Sequence, residues 1–175
     1  MRTVSWIIPL TGLTNLTRSE KQAFGDAVIR RILERTARGI DVNGNLFTGY
    51  TKEYKESLDF RIAKSSSRVN LELSGDMLTS LSVIDIGTSS ITIGFDDPDE
   101  EAKAAGNILG TYGQKTPNPS KARSFVGLPQ AELDEIKATF RRITPRQQNV
   151  VRQRESILTS ILSGVRARLF SSDNR

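Results

Sequence analysis

Three places in this chain hold side chains that could do chemistry. The run Asp96-Asp97-Pro98-Asp99-Glu100-Glu101 is dense enough in carboxylates to attract a cation. It has a second reading, in which Asp97 caps a helix, Pro98 takes its first position and the remaining carboxylates sit against the positive end of the helix dipole. The cap is the expectation. Asp41-Val42-Asn43-Gly44-Asn45 opens like a calcium loop, but the EF-hand pattern places its glycine after a third Asp/Asn and closes on Glu, and this stretch does neither. Asn-Gly instead predicts a turn, because both residues tolerate positive φ. The third place is the C-terminal arm, where Arg146, Arg152, Arg154, Arg166 and Arg168 could contact phosphates or an acidic partner.

What the chain lacks narrows the field further. It has no cysteine and no histidine, which removes disulfides, thiolate nucleophiles, Cys-based zinc sites and the commonest proton shuttle near neutral pH. No G-x-S-x-G elbow and no phosphate-binding glycine loop occurs. The expectation is therefore a protein with no catalytic residues, no cofactor and no bound metal.

At 175 residues the chain can bury one proper core. Its apolar share of 37% lies below that of an average globular protein, which points to extended or partner-covered surface. The net charge of +5 is unevenly placed. Residues 141–175 carry eight arginines against Glu155 and Asp173, a local +6, so the rest of the chain is close to neutral at −1. The apolar run in MRTVSWIIPLTG is too short for the core of a signal peptide, and no stretch approaches a membrane span. Assembly and use in a cytoplasm, with no membrane partner, is the expectation.

The elements that would position these residues follow from periodicity. Val4 to Leu10, with Trp6, Ile7, Ile8 and Pro9, predicts an edge strand, since proline is tolerated mainly at sheet edges or strand ends, or else an arm that docks on a neighbour. Thr17 to Glu20 fits a capping box, after which Phe24, Val28 and Ile32 recur four apart and predict a helix over Arg18 to Arg38, stopped by Gly39. Thr51 to Asp59 predicts a short, charged helix or helical turn with Tyr54 and Leu58 on one side, Lys64 to Arg68 a loop, and Asp76 onward a helical turn. Ser82 to Ile86 and Ile91 to Phe95 predict two strands around a turn at Gly87 to Ser90. The alternation of Ile91, Ile93 and Phe95 predicts a sheet covered on one side only. A helix follows from Pro98 to about Leu109, with Gly106, Gly110 and Gly113 at its loosening end. Thr111 to Lys121 predicts a loop, and Ala122 to Leu128 an apolar strand. Pro129 opens a helix with Leu133, Ile136 and Phe140 as its apolar stripe.

Beyond Thr144 and Pro145, Val150, Val151, Ile157, Leu158, Ile161, Leu162, Val165 and Leu169 predict a long amphipathic helix with most arginines opposite. Its apolar face suits either another subunit or the chain's own sheet. The fold class predicted is α+β: a small antiparallel or mixed β-sheet packed on one side by helices, with a long C-terminal amphipathic helix. The expected organisation is an N-terminal strand or arm at 1–17, a domain at 18–143 and a basic helical extension at 144–175.

The order of these segments resembles the phage virion morphogenesis family, which includes tail-completion and neck proteins of long-tailed bacteriophages. The resemblance rests on the turn Asp41, Gly44 and Phe47, on the step Ser74, Gly75 and Leu78, and on the segment Arg123, Phe125 and Gly127. It covers about residues 18–140. Phe47 stands where tryptophan is common in the family, Ser74 where threonine is common, and Ser120-Lys121 where a proline often precedes the Ala-Arg pair. Gly75 and Gly127 read locally as backbone-geometry positions and Phe125 as core. Arg123 is expected to pair with a carboxylate of its own chain or of the next subunit.

The resemblance implies a non-catalytic ring subunit at the head-tail junction or tail end of a virion, six-fold before twelve-fold. It also implies contact with a connector or head-completion protein and with a tail terminator or tail tube protein. The basic arm adds possible contact with genomic DNA in the channel. The alternative reading is a nucleic-acid-binding module that uses the basic C-terminal helix.

Overall fold

A computed structural model describes residues 4–13, 15–50, 52–63, 69–71, 76–111 and 116–141. Its contacts divide the chain into Met1–Lys137 and Ala138–Arg175. Apart from residues 138–141, the elements described belong to the first unit. The segment Lys64 to Arg68 expected as a loop, Ser74 and Gly75, Gly113, and the segment expected as a long basic helix with Arg146, Arg152, Arg154, Arg166 and Arg168 lie outside the described residues.

The elements are β1 (Trp6–Pro9), α1 (Arg18–Ala37), α2 (Lys52–Glu56), α3 (Leu58–Ala63), α4 (Asp76–Thr79), β2 (Leu81–Ile86), β3 (Ser90–Phe95) and α5 (Pro98–Leu109). A single 3-10 turn at Pro119–Lys121 and a helix over residues 130–141, here α6, complete them. The fold is α+β, built on one three-stranded antiparallel sheet in the order β1-β3-β2. The N-terminal segment is thus a strand of the sheet and one of its two edges.

α1 forms where the capping box placed it. Thr17 Oγ1 accepts from the Glu20 amide at 3.2 Å, while the Glu20 carboxylate accepts from the Thr17 amide at 2.7 Å. The helix ends at Ala37, and Gly39 adopts the left-handed backbone (φ 74°) that stops it. Phe24, Val28 and Ile32 are completely buried, each contributing about 1.5–3 kcal/mol by leaving water. The helix lies close on the sheet at Gly25, where a Cβ would overlap Cγ2 of Val83.

β2 and β3 form the expected hairpin, closed by a hydrogen bond from the Gly87 amide to the Ser90 carbonyl at 2.9 Å. Lys21 reaches across from α1 and donates to the carbonyls of Gly87 and Thr88, both at 2.8 Å. Ile91, Ile93 and Phe95 are buried on one face, with Ile91 close to Gly25 of α1 and Phe95 against Phe125. In β2, strict alternation would bury Asp85 with Leu81 and Val83. The structure avoids this with a bulge: Val83 pairs with Ile93 and Asp85 with Thr92, which leaves Ile84 as the extra residue. Asp85 turns to solvent, and Ile86 returns to the core side opposite Ile91.

Three expectations are corrected. Ala122 to Leu128 is not a strand but an irregular segment, because its backbone groups are taken by partners outside any ladder. The sheet is consequently antiparallel throughout. The single short helix expected at Thr51 to Asp59 is two helices, α2 and α3, meeting at Ser57, whose hydroxyl donates to the Tyr54 carbonyl at 2.7 Å. Leu58, expected on one side of a single helix with Tyr54, instead opens α3 and is 68% exposed.

Candidate functional site

Seven of the residues singled out in the sequence gather in and around one irregular segment, 122–128. Each flank of this segment is held by a different element. From one side comes Arg35, near the end of α1 and only 1% exposed. Its Nη2 donates to the Phe125 carbonyl at 3.0 Å and to the Gly127 carbonyl at 2.6 Å. Among the described residues, its Nε and Nη1 have no hydrogen-bond acceptor. Burial lowers the Arg35 pKa from its ordinary value, and the nearby carboxylates of Glu132 and Asp41 oppose that effect.

Beneath the same segment lies the turn that begins at Asp41. Asp41 Oδ1 accepts from the amides of Asn43 and Asn45, both at 2.8 Å, and the Asp41 carbonyl accepts from Gly44 at 3.1 Å. A carboxylate committed to its own backbone in this way makes an Asx-type turn. The turn is docked by the Val42 amide, which donates to the Ser124 carbonyl at 2.9 Å. Gly127 sits over Val42 with φ at 135°, a conformation open to glycine and strained for other residues. Phe47, which follows the turn, is buried, and its amide donates to the Gly39 carbonyl at 2.7 Å.

On the other flank, the Arg123 amide donates to the Asn107 carbonyl of α5 at 2.9 Å. The Arg123 guanidinium lies 5.5 Å from the centre of the Tyr50 ring, with Nη2 at 3.4 Å from the Thr48 carbonyl and Nη1 at 3.5 Å from Asn107 Oδ1. Among the described residues no carboxylate comes within salt-bridge distance of it, and its guanidinium instead meets an aromatic face and carbonyl oxygens. Desolvation lowers its pKa, partly offset by Tyr50 and Tyr54. Tyr50, Tyr54 and Phe60 form a triangle of rings with centroids 5.1–5.4 Å apart. Burial raises the Tyr50 pKa above the ordinary tyrosine value, with Tyr54 adding to the shift and Arg123 opposing it.

Leu78 and its neighbour Met77 complete the surroundings, both buried in α4. Asn107 Nδ2 lies 3.8 Å from Met77 Sδ, so the α4 turn and the Arg123 segment share one residue of α5. Phe125 is fully buried and meets Phe95 edge to face at 6.3 Å. Of the residues identified in the sequence, Asp41, Gly44, Phe47, Leu78, Arg123, Phe125 and Gly127 thus belong to one connected region.

The acidic run is elsewhere and is engaged as a cap. Asp97 Oδ1 accepts from the amides of Asp99 at 2.8 Å and Glu100 at 3.3 Å, Glu100 pairs with Lys103, and Glu101 accepts from the Val4 amide at 2.7 Å. Among the described residues no three potential ligands gather as a metal site would require, and no helix is long and apolar enough to cross a membrane.

Arg35 is the important residue that sequence reasoning passed over. Its signal was present: counting from Val28 and Ile32, the next position on the apolar face is 35. A cation there marks a buried carbonyl-holding arginine instead of a surface one. Comparison with protein-family models, curated proteins and solved structures returned no match.

Proposed function

We propose that this chain is a structural subunit of a tailed-bacteriophage virion. In this reading it is a neck or tail-completion protein that forms a ring at the head-tail junction and supports tail assembly or head-tail joining. The observation that carries the reading is the convergence just described. The Asp41–Phe47 turn, the α4 turn bearing Leu78 and the Arg123–Gly127 segment are the stretches that resemble the phage virion morphogenesis family; the first packs directly on the third although up to 86 positions away, and the α4 turn is linked to that segment through Asn107 of α5. A shared pattern of scattered residues has physical meaning when those residues hold one another in place. The region contains fixed backbone and aromatic packing, which suits a rigid framework for assembly. No residue in it is assigned a catalytic role.

The partners in this reading are other copies of the chain, a connector or head-completion protein, and a tail terminator or tail tube protein. The experiment is cryo-electron microscopy of virions that contain the polypeptide, with native mass spectrometry of the purified full chain, alone and mixed with its candidate neighbours. The expected result is density at the neck or tail end and a closed ring, six-fold before twelve-fold. Absence of the polypeptide from purified particles would overturn the proposal. Tight duplex-DNA binding at physiological salt, lost on deleting residues 145–175, would replace it with the nucleic-acid-binding reading.

A further inference from the structure

The sheet order β1-β3-β2 leaves two outer edges, and both strands are antiparallel to β3, so β1 and β2 run in the same direction. Among the described residues, no backbone hydrogen bond outside the sheet engages residues 81–86. Beside the first half of β2 lies an open groove of about 390 Å³, walled by Ile29, Arg30 and Leu33 of α1 and by Leu81, Ser82 and Val83 of β2. A groove between a helix and an unpaired strand edge is the geometry that accepts an added strand.

The opposite edge of the same sheet carries matching side chains. Ile7, in β1, is 65% exposed and pairs with Thr92, on the face away from α1. Ile84, at the β2 edge, is 44% exposed and lies over Gly94 on that same outer face, since a Cβ on Gly94 would come within 2.7 Å of Ile84 Cδ1. On the inner face, Trp6 is only half-buried opposite Ile93, at the level where the groove opens on the β2 side. Each edge therefore offers one outer-face isoleucine. One edge also has an aromatic ring, and the other a groove to receive it.

We infer that successive copies of this chain join edge to edge, the β1 edge of one copy adding in parallel to the β2 edge of the next, so that the sheet continues across the contact. The two edges differ, so the contact is heterologous, and repeated by rotation it closes into a ring. Trp6 of one copy enters the groove beside Leu81 and Val83 of the next, and Ile7 covers Ile84. Pro9, which lacks an amide hydrogen, and the bulge at Ile84 end the new ladder after a few residues. A short ladder gives a weak single contact, and closure of the ring multiplies it. The inference rests on the ring reading above and specifies its interface.

The chain has no cysteine, so introduced thiols report the contact without background. Ile7→Cys, Ile84→Cys and the double variant of the full chain are treated with a short bis-maleimide and run on denaturing gels, beside native mass spectrometry of each. Unchanged far-ultraviolet circular dichroism confirms folding. The expected result is no cross-link within either single variant, a dimer when the two are mixed, and a ladder up to the ring number for the double variant. Ile7→Lys, at an exposed position, is expected to keep the fold and reduce the ladder at least tenfold. A self-linking single variant would overturn the inference in favour of a two-fold contact. Intact rings without a 7–84 cross-link would overturn it and leave the ring reading standing. Monomers throughout, alone and with candidate neighbours, would overturn both.

Discussion

Arg35 Nη2 and the Gly127 carbonyl oxygen lie 2.6 Å apart, although 92 residues separate them in the chain. With the second bond to the Phe125 carbonyl, one buried guanidinium holds the segment on which the Asp41 turn and the α5 contacts converge. The neighbouring Thr36 is also buried, so the end of α1 is enclosed on more than its apolar stripe.

Arg35→Ala leaves two buried carbonyls unpaired and a cavity where the side chain lay, and is expected to cost about 2–5 kcal/mol of stability. Urea denaturation followed by circular dichroism measures it. A loss below about 0.5 kcal/mol would show that the two carbonyl bonds contribute nothing net, against the typical value for bonds to a charged group.

Gly25→Ala tests the approach of α1 to the sheet. Helix propensity alone would favour alanine by about 1 kcal/mol. The added methyl overlaps Val83 Cγ2 and comes within 3.2 Å of Ile91 Cδ1, and valine, branched at Cβ, has little rotamer freedom with which to yield. The expected net effect is destabilisation of about 1–3 kcal/mol. A rise in melting temperature would show instead that α1 can move away from the strand.

Tyr50 provides a pH test. Its pKa lies above the ordinary tyrosine value of 10.0, so the folded state holds that proton more tightly than the unfolded chain. The contribution is fully present below pH 10 and is lost as pH rises through the folded-state value. Stability measured from pH 9 upward should therefore fall, and Tyr50→Phe should remove that part of the slope. Ultraviolet titration of the folded wild type should show a tyrosine ionising later than in urea.

Asp97→Ala removes the cap of α5 and is expected to cost about 0.5–2 kcal/mol. Adding calcium or magnesium should shift the wild-type melting temperature no more than that of the variant, as a cap and not a cation site requires. A cation-dependent stabilisation that disappears in the variant would restore the metal reading of the acidic run.

Legibility of the fold followed the range of the interactions that decide each element. The α1 capping box, the Asp97-Pro98 start of α5 and the Gly87–Ser90 turn involve residues no more than four apart, so their patterns identified them. The misread segment, Ala122 to Leu128, has the apolar composition of a strand. Its backbone partners, however, are Val42, Asn107 and Arg35, at separations no local pattern encodes. The aromatic face under Arg123 was hidden for the same reason: Tyr50 is 73 positions away.

By itself the sequence determined the composition-level exclusions, the helix caps, the hairpin and the face of β3 that enters the core. Those depend on side-chain type and on spacings of two to four residues, which act before the chain has folded. Tertiary structure alone decided that Arg35 is buried, that Ile84 bulges so that Asp85 reaches water, and that β1 and β2 form the two sheet edges. Each of those depends on which distant group occupies the neighbouring space, because a buried cation or an edge strand is defined by what packs beside it.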